Sequence, residues 1–380
     1  MSQMPYPEDL FGQPALSDLQ TEGVKYIGSK LKLIPQIIQV LMRLEVKTVF
    51  DGFSGTSRVS QALAKCGYAV HSSDISAWSK VFANCYLGAK RGHDYRIIID
   101  ALNSATPLDG WFTRHYGGTP GEAFPQGMKY PWQRKNTRKL DGIRARIDKM
   151  CLEPHEKDVA LTSLMLALDK VDNTLGHFTS YLGAWSQRSY NDLVLREPRY
   201  VFPEMSCRHS MADIFSVVDA MTPVDLAYLD PPYGSNNEKM PPSRVRYASY
   251  YHLWTTVCLN DEPDVFGKAR RRKDTRDTVA SSVFEEYRMG ENGCSLAVEA
   301  IDKLIRQVKA RYVLLSYSSG GKATLQELKS VLGATGKLLE IIEIEYRRNV
   351  MAGMRWTHEW TRLREGRNLE YLFLLDKGLY

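Results

Sequence analysis

Between Val46 and Leu87 the chain twice runs through a short apolar strand, a turn and a helix. The first pass is "VKTVFDGFSGTSRVSQALAKCG" and the second is "YAVHSSDISAWSKVFANCYL". Parallel strands cannot be joined by a tight hairpin and need a crossover, usually a helix. Two such units in succession therefore predict the start of a parallel α/β sheet. "LKLIPQIIQVLMRL" (31–44) ahead of them reads as an amphipathic helix. From about 95 to 200 the strand signals stop, and helical spacing rich in Arg, Lys and Trp takes over, as in "RKLDGIRARIDKM" and "DVALTSLMLALDKV". Strand signals return near 206, at 224–229, and in "RYVLLSYSS", "LLEIIEIEYRR" and "LEYLFLLD". The last two are expected to pair antiparallel. The fold predicted is α/β, a Rossmann-like sheet interrupted by a largely helical insertion. Residues 23–94 and 201–380 would form the catalytic domain, 95–200 the insertion, and 1–22 an N-terminal tail.

The turn after the first strand, "FDGFSGTSRVS", carries Gly52 and Gly55. They permit a tight turn and a close approach of ligand to backbone, and the next helix offers unpaired N–H groups at its start. The spacing lacks both the full dinucleotide fingerprint and the Gly-Lys-Ser/Thr of a phosphate loop. Asp74 ends the second strand, where a carboxylate meets a ribose diol if a nucleoside lies over the first turn. The ligand needs an adenosine-like ribose and no pyrophosphate. S-adenosylmethionine meets that description.

The apolar strand at 224–229 stops at Asp230, and Pro231, Pro232 and Tyr233 follow. Proline fixes its own φ, lacks a donor, and drives the preceding residue into extended geometry. The result is a rigid edge of acceptors. The Asp230 carboxylate and the Pro231 carbonyl can each accept one hydrogen of an exocyclic amine, turning the nitrogen lone pair toward an electrophile. Tyr233 offers a flat face on which a base can stack, a contact of about 1–3 kcal/mol. Alignment lowers the barrier more than basicity would.

The ordered series "KYIGSK", "DGFSGT", "SDIS", "ADIF", "DPPY" resembles the α-group of N6-adenine DNA methyltransferases, the family that includes DNA adenine methylase. The resemblance runs from about residue 25 to 376 and extends to "YASYYHLW" and "LLSYSSGG". It implies a site-specific DNA methyltransferase that uses S-adenosylmethionine and acts on a base flipped out of the duplex. It also implies roles. Tyr26 and Lys30 would close over the cofactor. Phe53, Ser54, Gly55 and Thr56 would wrap its methionine part, Asp74 would hold the ribose, and Asp213 and Ile214 would flank its adenine. Asp51, Ile75 and Asp230 complete the expected cofactor set. Asp230, Pro231, Pro232 and Tyr233 would grip the target base.

Six scattered cysteines with no C-x-x-C pair read as thiols in a reducing cytoplasm, with no disulfide framework and no metal. No apolar run approaches the roughly 20 residues of a membrane span, and the first residues do not read as a secretory signal. A net charge of +6 suits an acidic partner. Lys268, Arg270, Arg271, Arg272 and Lys273 in "VFGKARRRKDTR", with Arg134, Lys135 and Arg138 in the insertion, are expected on DNA phosphates. Trp111, Trp132 and Trp185 read as core, and His177 as a packing or capping residue. A restriction endonuclease is an expected companion. Two rivals stand: N4-cytosine methylation, against which Asp230 speaks because many such enzymes carry Ser there, and a catalytically dead DNA-binding protein of the same fold.

Overall fold

A computed structural model of the chain describes residues 19–122, 127–234, 247–276, 282–286, 288–291, 293–346 and 368–378. Most of the expected tail, 1–18, lies outside this set. Residues 19–22 do not behave as a tail: Leu19 is buried, and the Thr21 carbonyl accepts from Arg58 Nη1 at 2.7 Å.

Seven strands make one twisted sheet. They are β1 (Thr48–Asp51), β2 (Ala69–Asp74), β3 (Arg208–Met211), β4 (Val224–Leu229), β5 (Ala310–Ser318), β6 (Lys337–Tyr346) and β7 (Asn368–Asp376). Their spatial order is β6-β7-β5-β4-β1-β2-β3. All neighbours from β5 to β3 run parallel, while β7 is antiparallel to both β5 and β6. The expected antiparallel pairing of the last two strands is therefore present, with Ile342 opposite Leu372; residues 347–367 between them lie outside the described set. The sheet is of the Rossmann-like kind expected, closed by an antiparallel strand inserted between β5 and β6.

Side chains alternate across a strand, and β4 splits its apolar set accordingly. Leu226 and Tyr228 enter one core, Ala227 and Leu229 the other. The first core is covered by α1 (Ile34–Met42), α2 (Arg58–Lys65) and α3 (Ala77–Gly88). The insertion adds α4 (Arg96–Asn103), α5 (Trp111–Tyr116), α6 (Arg134–Lys149) and α7 (Pro154–Lys170). The start of α7 is fixed locally, with Pro154 in its first turn and a reciprocal Glu153–Glu156 capping box. Helix α7 lies on α3, where Asn84 Nδ2 donates to Asp158 at 2.9 Å. The second core lies under α8 (Ile214–Ala220), then α11 (Leu296–Gln307) and α12 (Leu325–Thr335). Between them in the chain come α9 (Tyr247–Tyr250) and α10 (His252–Leu259).

Trp111 and Trp132 are core residues, and Trp132 Nε1 donates to the Leu168 carbonyl at 3.1 Å. His177 packs flat on Tyr250 and bonds Thr179 through Nδ1 at 2.9 Å. Among the described residues no helix is long and apolar enough to cross a membrane.

Candidate active site

Strand β1 is parallel to β2 on one side and to β4 on the other, so the chain reverses its direction of winding there. Ligands of open α/β sheets bind outside the carboxyl ends of the strands at such a switch point. Three acids gather at this edge: Asp51 ends β1, Asp74 ends β2 and Asp230 follows β4. Asp51 is paired across to Ser72 and Tyr228.

The glycine turn leaves β1 between them. Gly52 has no room for a side chain, since a Cβ there would lie 2.8 Å from Leu229 and 3.1 Å from Phe50. Gly55 sits at φ +48°, a left-handed conformation that favours glycine. Its N–H donates to Asp74 Oδ2 at 2.9 Å, while Asp74 Oδ1 accepts from the Ser76 N–H at 2.8 Å. Burial raises the Asp74 carboxyl above its usual range, against the pull of these hydrogen bonds. Beside it Ile75 holds an apolar side chain 72% exposed at the strand end. A half-buried carboxylate next to an exposed apolar side chain can meet a ligand that carries both hydroxyl groups and an apolar ring.

Tyr26 lies beside Gly55, where an added Cβ would come 3.5 Å from its ring, and stacks on Tyr251 at 4.6 Å between centroids, with Tyr247 at 5.5 Å and Trp78 at 5.7 Å. Opposite, Phe53 makes an edge contact with Phe284, which stacks on Phe215 beside the buried Ile214. Ser54 and Thr56 are buried in the turn, and Ser54 Oγ lies 3.2 Å from Ser79 Oγ. Asp213 is the N-cap of α8 and accepts from the Phe215 N–H at 2.9 Å.

Two expected contacts are redrawn. Asp51 is 1% exposed and accepts from Ser60 Oγ at 2.5 Å. It supports α2 from behind the turn and does not face a ligand. Burial pushes its carboxyl up to about 7, because the side-chain and backbone hydrogen bonds from Ser60 do not repay lost hydration and the Asp230 and Asp74 carboxylates add like charge. Lys30, expected over the cofactor, instead puts its ammonium 3.0 Å from Asp230 Oδ1 and 2.6 Å from Glu370 Oε1. A buried cation needs counter-charges, and these two carboxylates are the ones in reach. Burial pushes Asp230 up to about 7, with Lys30 opposing the shift and Glu370 adding to it.

Tyr233 is held beside this group. Its ring centroid lies 5.1 Å from Lys30 Nζ and 5.4 Å from the Tyr317 ring, and its carbonyl accepts from the Lys322 N–H at 2.9 Å. Pro231 is buried and Pro232 half-buried, which stiffens the edge. Sequence reasoning missed Glu370, Phe215, Phe284, Tyr247, Tyr251 and Tyr317. One signal was readable: Glu370 is a lone acid early in the apolar run "LEYLFLLD".

Residues 26–314 match the family model of the D12 class N6 adenine-specific DNA methyltransferases. The chain belongs to that family. Modification methylase LlaI of Lactococcus lactis subsp. lactis is 26% identical over 355 residues, covering 85% of this chain and 51% of that protein. Modification methylase StsI of Streptococcus sanguinis is also 26% identical, over 348 residues, covering 86% and 48%. The chain thus spans about half the length of these curated relatives. Type II methyltransferase M.NlaIII of Neisseria lactamica is 24% identical over 342 residues and is covered over 92% of its length.

For a D12 class chain the basic stretches matter, and the structure sorts them. The run at 268–273 forms a β-hairpin in which Val265–Phe266 pairs with Arg271–Arg272. Its tip is pinned to the insertion: Tyr116 donates to the Arg270 carbonyl at 2.6 Å and Tyr181 to the Ala269 carbonyl at 2.8 Å. Lys268 and Lys273 are exposed, with Lys273 paired to Asp264 at 2.7 Å. Arg271 and Arg276 both lie over the Phe266 ring. Arg270 donates to the His115 carbonyl and lies over Tyr130.

Arg272, expected on phosphate, is 4% exposed and grips Asp261 through two 2.7 Å bonds and Asp274 through another. Neighbouring residues of a strand point to opposite faces, so one arginine of the run had to turn inward. In the insertion Arg134 and Arg138 are exposed and share Asp109, and Lys135 pairs with Asp192. Surface pairs of this kind are worth about 0–1 kcal/mol, so phosphates can compete for these cations.

Proposed function

We propose that this chain transfers a methyl group from S-adenosylmethionine to the N6 amine of an adenine flipped out of duplex DNA, at a specific site and in a restriction–modification setting. The observation that carries the reading is the placement of Asp230-Pro231-Pro232-Tyr233. It leaves a buried parallel strand at the switch point, across the glycine turn from Asp74. Asp74, Ile75, Phe53 and Ile214 would hold the donor's adenosine, with Phe215 and Phe284 extending the apolar wall. Tyr26, Ser54, Gly55 and Thr56 would enclose its amino-acid end, and Asp213 would approach the adenine from the start of α8. When bound, the donor supplies a methyl carbon on a cationic sulfur.

The chain's own part is positional. The Asp230 carboxylate and Pro231 carbonyl accept the two amine hydrogens, and Tyr233 stacks on the base. Asp230 also faces the positive charge that N6 acquires as it is methylated. The hairpin, pinned to helix α5 and Tyr181, would form with the insertion one DNA-facing surface. A cognate endonuclease would share the same recognition sequence.

Sequencing DNA from cells that express the chain, by a method that reports modified bases, tests the reading. Methylated adenine at one recurring motif is the expected result. Methylated cytosine at a motif would establish N4-cytosine chemistry, and unmodified DNA bound by the purified chain would establish an inactive DNA-binding protein.

Two further results are expected. Asp74→Ala should raise the S-adenosylmethionine Kd by roughly 150-fold, since two hydrogen bonds to a charged acceptor contribute about 1.5 kcal/mol each at the low end. DNA affinity should stay within about twofold. Calorimetry showing an unchanged donor Kd would remove Asp74 from the site. Replacing Lys268, Arg271 and Arg276 by Gln should flatten the dependence of log K on log salt, by up to about 0.9 for each phosphate no longer neutralised. Site preference should survive, because protein groups on phosphates carry little sequence information. A salt slope equal to the parent's would make the hairpin a solvated surface.

A further inference from the structure

Glu370 enters the site from β7, the antiparallel strand, 340 residues from Lys30 in sequence. Lys30 and Glu370 are 6% and 5% exposed, and Ser316 of β5 donates to the same Glu370 oxygen at 3.1 Å. One ammonium is thus shared by two carboxylates, Glu370 buried and Asp230 half-buried. With all three ionised the group carries one net negative charge. Without Glu370, Lys30 would cancel Asp230.

We propose that Glu370 is a positioning residue for methyl transfer: by neutralising Lys30 it leaves the charge of Asp230 available to the target amine. The inference rests on the role given to Asp230 above. In the transfer the N6 lone pair forms the bond to the methyl carbon, and the carbon–sulfur bond breaks with its electron pair left on sulfur. N6 takes up the positive charge and then gives one of its two protons to the Asp230 carboxylate, which releases it to water. Every charge facing Asp230 bears on that cation. Lys30 comes from the N-terminal segment and Glu370 from β7. Asp51 comes from the end of β1, Tyr228 from β4, Tyr233 from its own loop, Tyr26 from the N-terminal segment and Tyr247 from α9. Of these, Glu370 is the carboxylate that shares the opposing cation with Asp230, while Tyr233 meets the same ammonium through its ring.

The test uses the full chain and a duplex bearing the motif found by modified-base sequencing. Glu370→Gln should lower the single-turnover rate roughly a hundredfold, the scale of removing one preorganised electrostatic interaction. It should also move the acid limb of the rate profile to lower pH, because a negative neighbour of Asp230 is gone. Lys30→Met should move that limb to higher pH. The double variant Lys30→Met with Glu370→Gln should recover to within about tenfold of the parent, since it restores the net charge and swaps a buried pair for a neutral one.

A binding readout accompanies the rates. In equilibrium binding without donor, Glu370→Gln should reduce the preference for target adenine over purine, which lacks the amine. Additive losses in the double variant, an unmoved pH limb and an unchanged adenine preference would overturn the proposal and leave Glu370 a packing residue. Asp230→Ala separates the two failures: if it keeps transfer, the reading of Asp230 is wrong, and if it is dead while Glu370→Gln behaves as the parent, only the present inference falls.

Discussion

Asp230→Ala should reduce methyl transfer by at least about 10³-fold while leaving the S-adenosylmethionine Kd within a few-fold. One preorganised electrostatic interaction is worth about 10²–10³ in rate, and here the same group also orients the nucleophile. The variant should fold. Lys30 keeps Glu370 as its partner at 2.6 Å, so no buried cation is stranded. Stability should respond in the opposite direction to activity. The Asp230 carboxyl is raised from 3.8 to about 7 in the folded chain. A raised folded value means that its contribution to stability is fully present below about pH 4 and is lost as pH rises through 7. Above pH 7 the ionised group is a cost, so Asp230→Ala should melt no lower than the parent at pH 8. In the parent, kcat/KM should fall below about pH 7, because only the carboxylate accepts from the amine and kcat/KM reports groups of the free protein. Near-parental turnover in Asp230→Ala would sink the mechanism, and a large drop in melting temperature would mean that activity was lost through unfolding.

Arg272→Ala should destabilise the fold by about 2–3 kcal/mol and weaken DNA binding only through that loss. Breaking a buried pair by removing one partner costs about 3–5 kcal/mol. The smaller figure applies because Asp261 and Asp274, left behind, are 35% and 56% exposed and can be hydrated. The guanidinium also fastens the hairpin to α10 through Thr256 Oγ1 at 3.3 Å, so the hairpin should loosen first. Denaturant melts and salt titrations on the same variant decide the point. An unchanged unfolding midpoint with a flatter salt slope would return Arg272 to the phosphate-binding set.

The contrast between these two residues marks how far the sequence reaches. Asp230 was legible because its situation is local: an apolar strand, then two prolines that fix the backbone, then an aromatic. Gly52, Gly55 and Asp74 were legible for the same reason. Parallel βαβ units bring successive strand ends to one edge, so residues just after those ends converge wherever the chain goes next. Arg272 was misread because a run of basic residues looks uniform until a hairpin assigns alternate side chains to opposite faces. Asp51 was misread because the same sheet edge that leaves Asp74 half-buried turns Asp51 inward, toward Ser60.

The sequence by itself therefore determined the parallel sheet, the helical interruption, the antiparallel close of the sheet and the stiff Asp-Pro-Pro-Tyr edge that follows β4. These follow from spacing, proline and glycine geometry within a few residues. Only the tertiary structure decided which charges meet. Lys30 reaches Glu370 and Asp230, Tyr26 reaches Tyr251, and Phe53 reaches Phe284 across stretches of chain that no periodicity links. Such pairings are selected when the sheet closes and buries them. An ammonium taken out of water must then find its carboxylates among whatever the packed strands place within about 3 Å, the reach of a charge-assisted hydrogen bond.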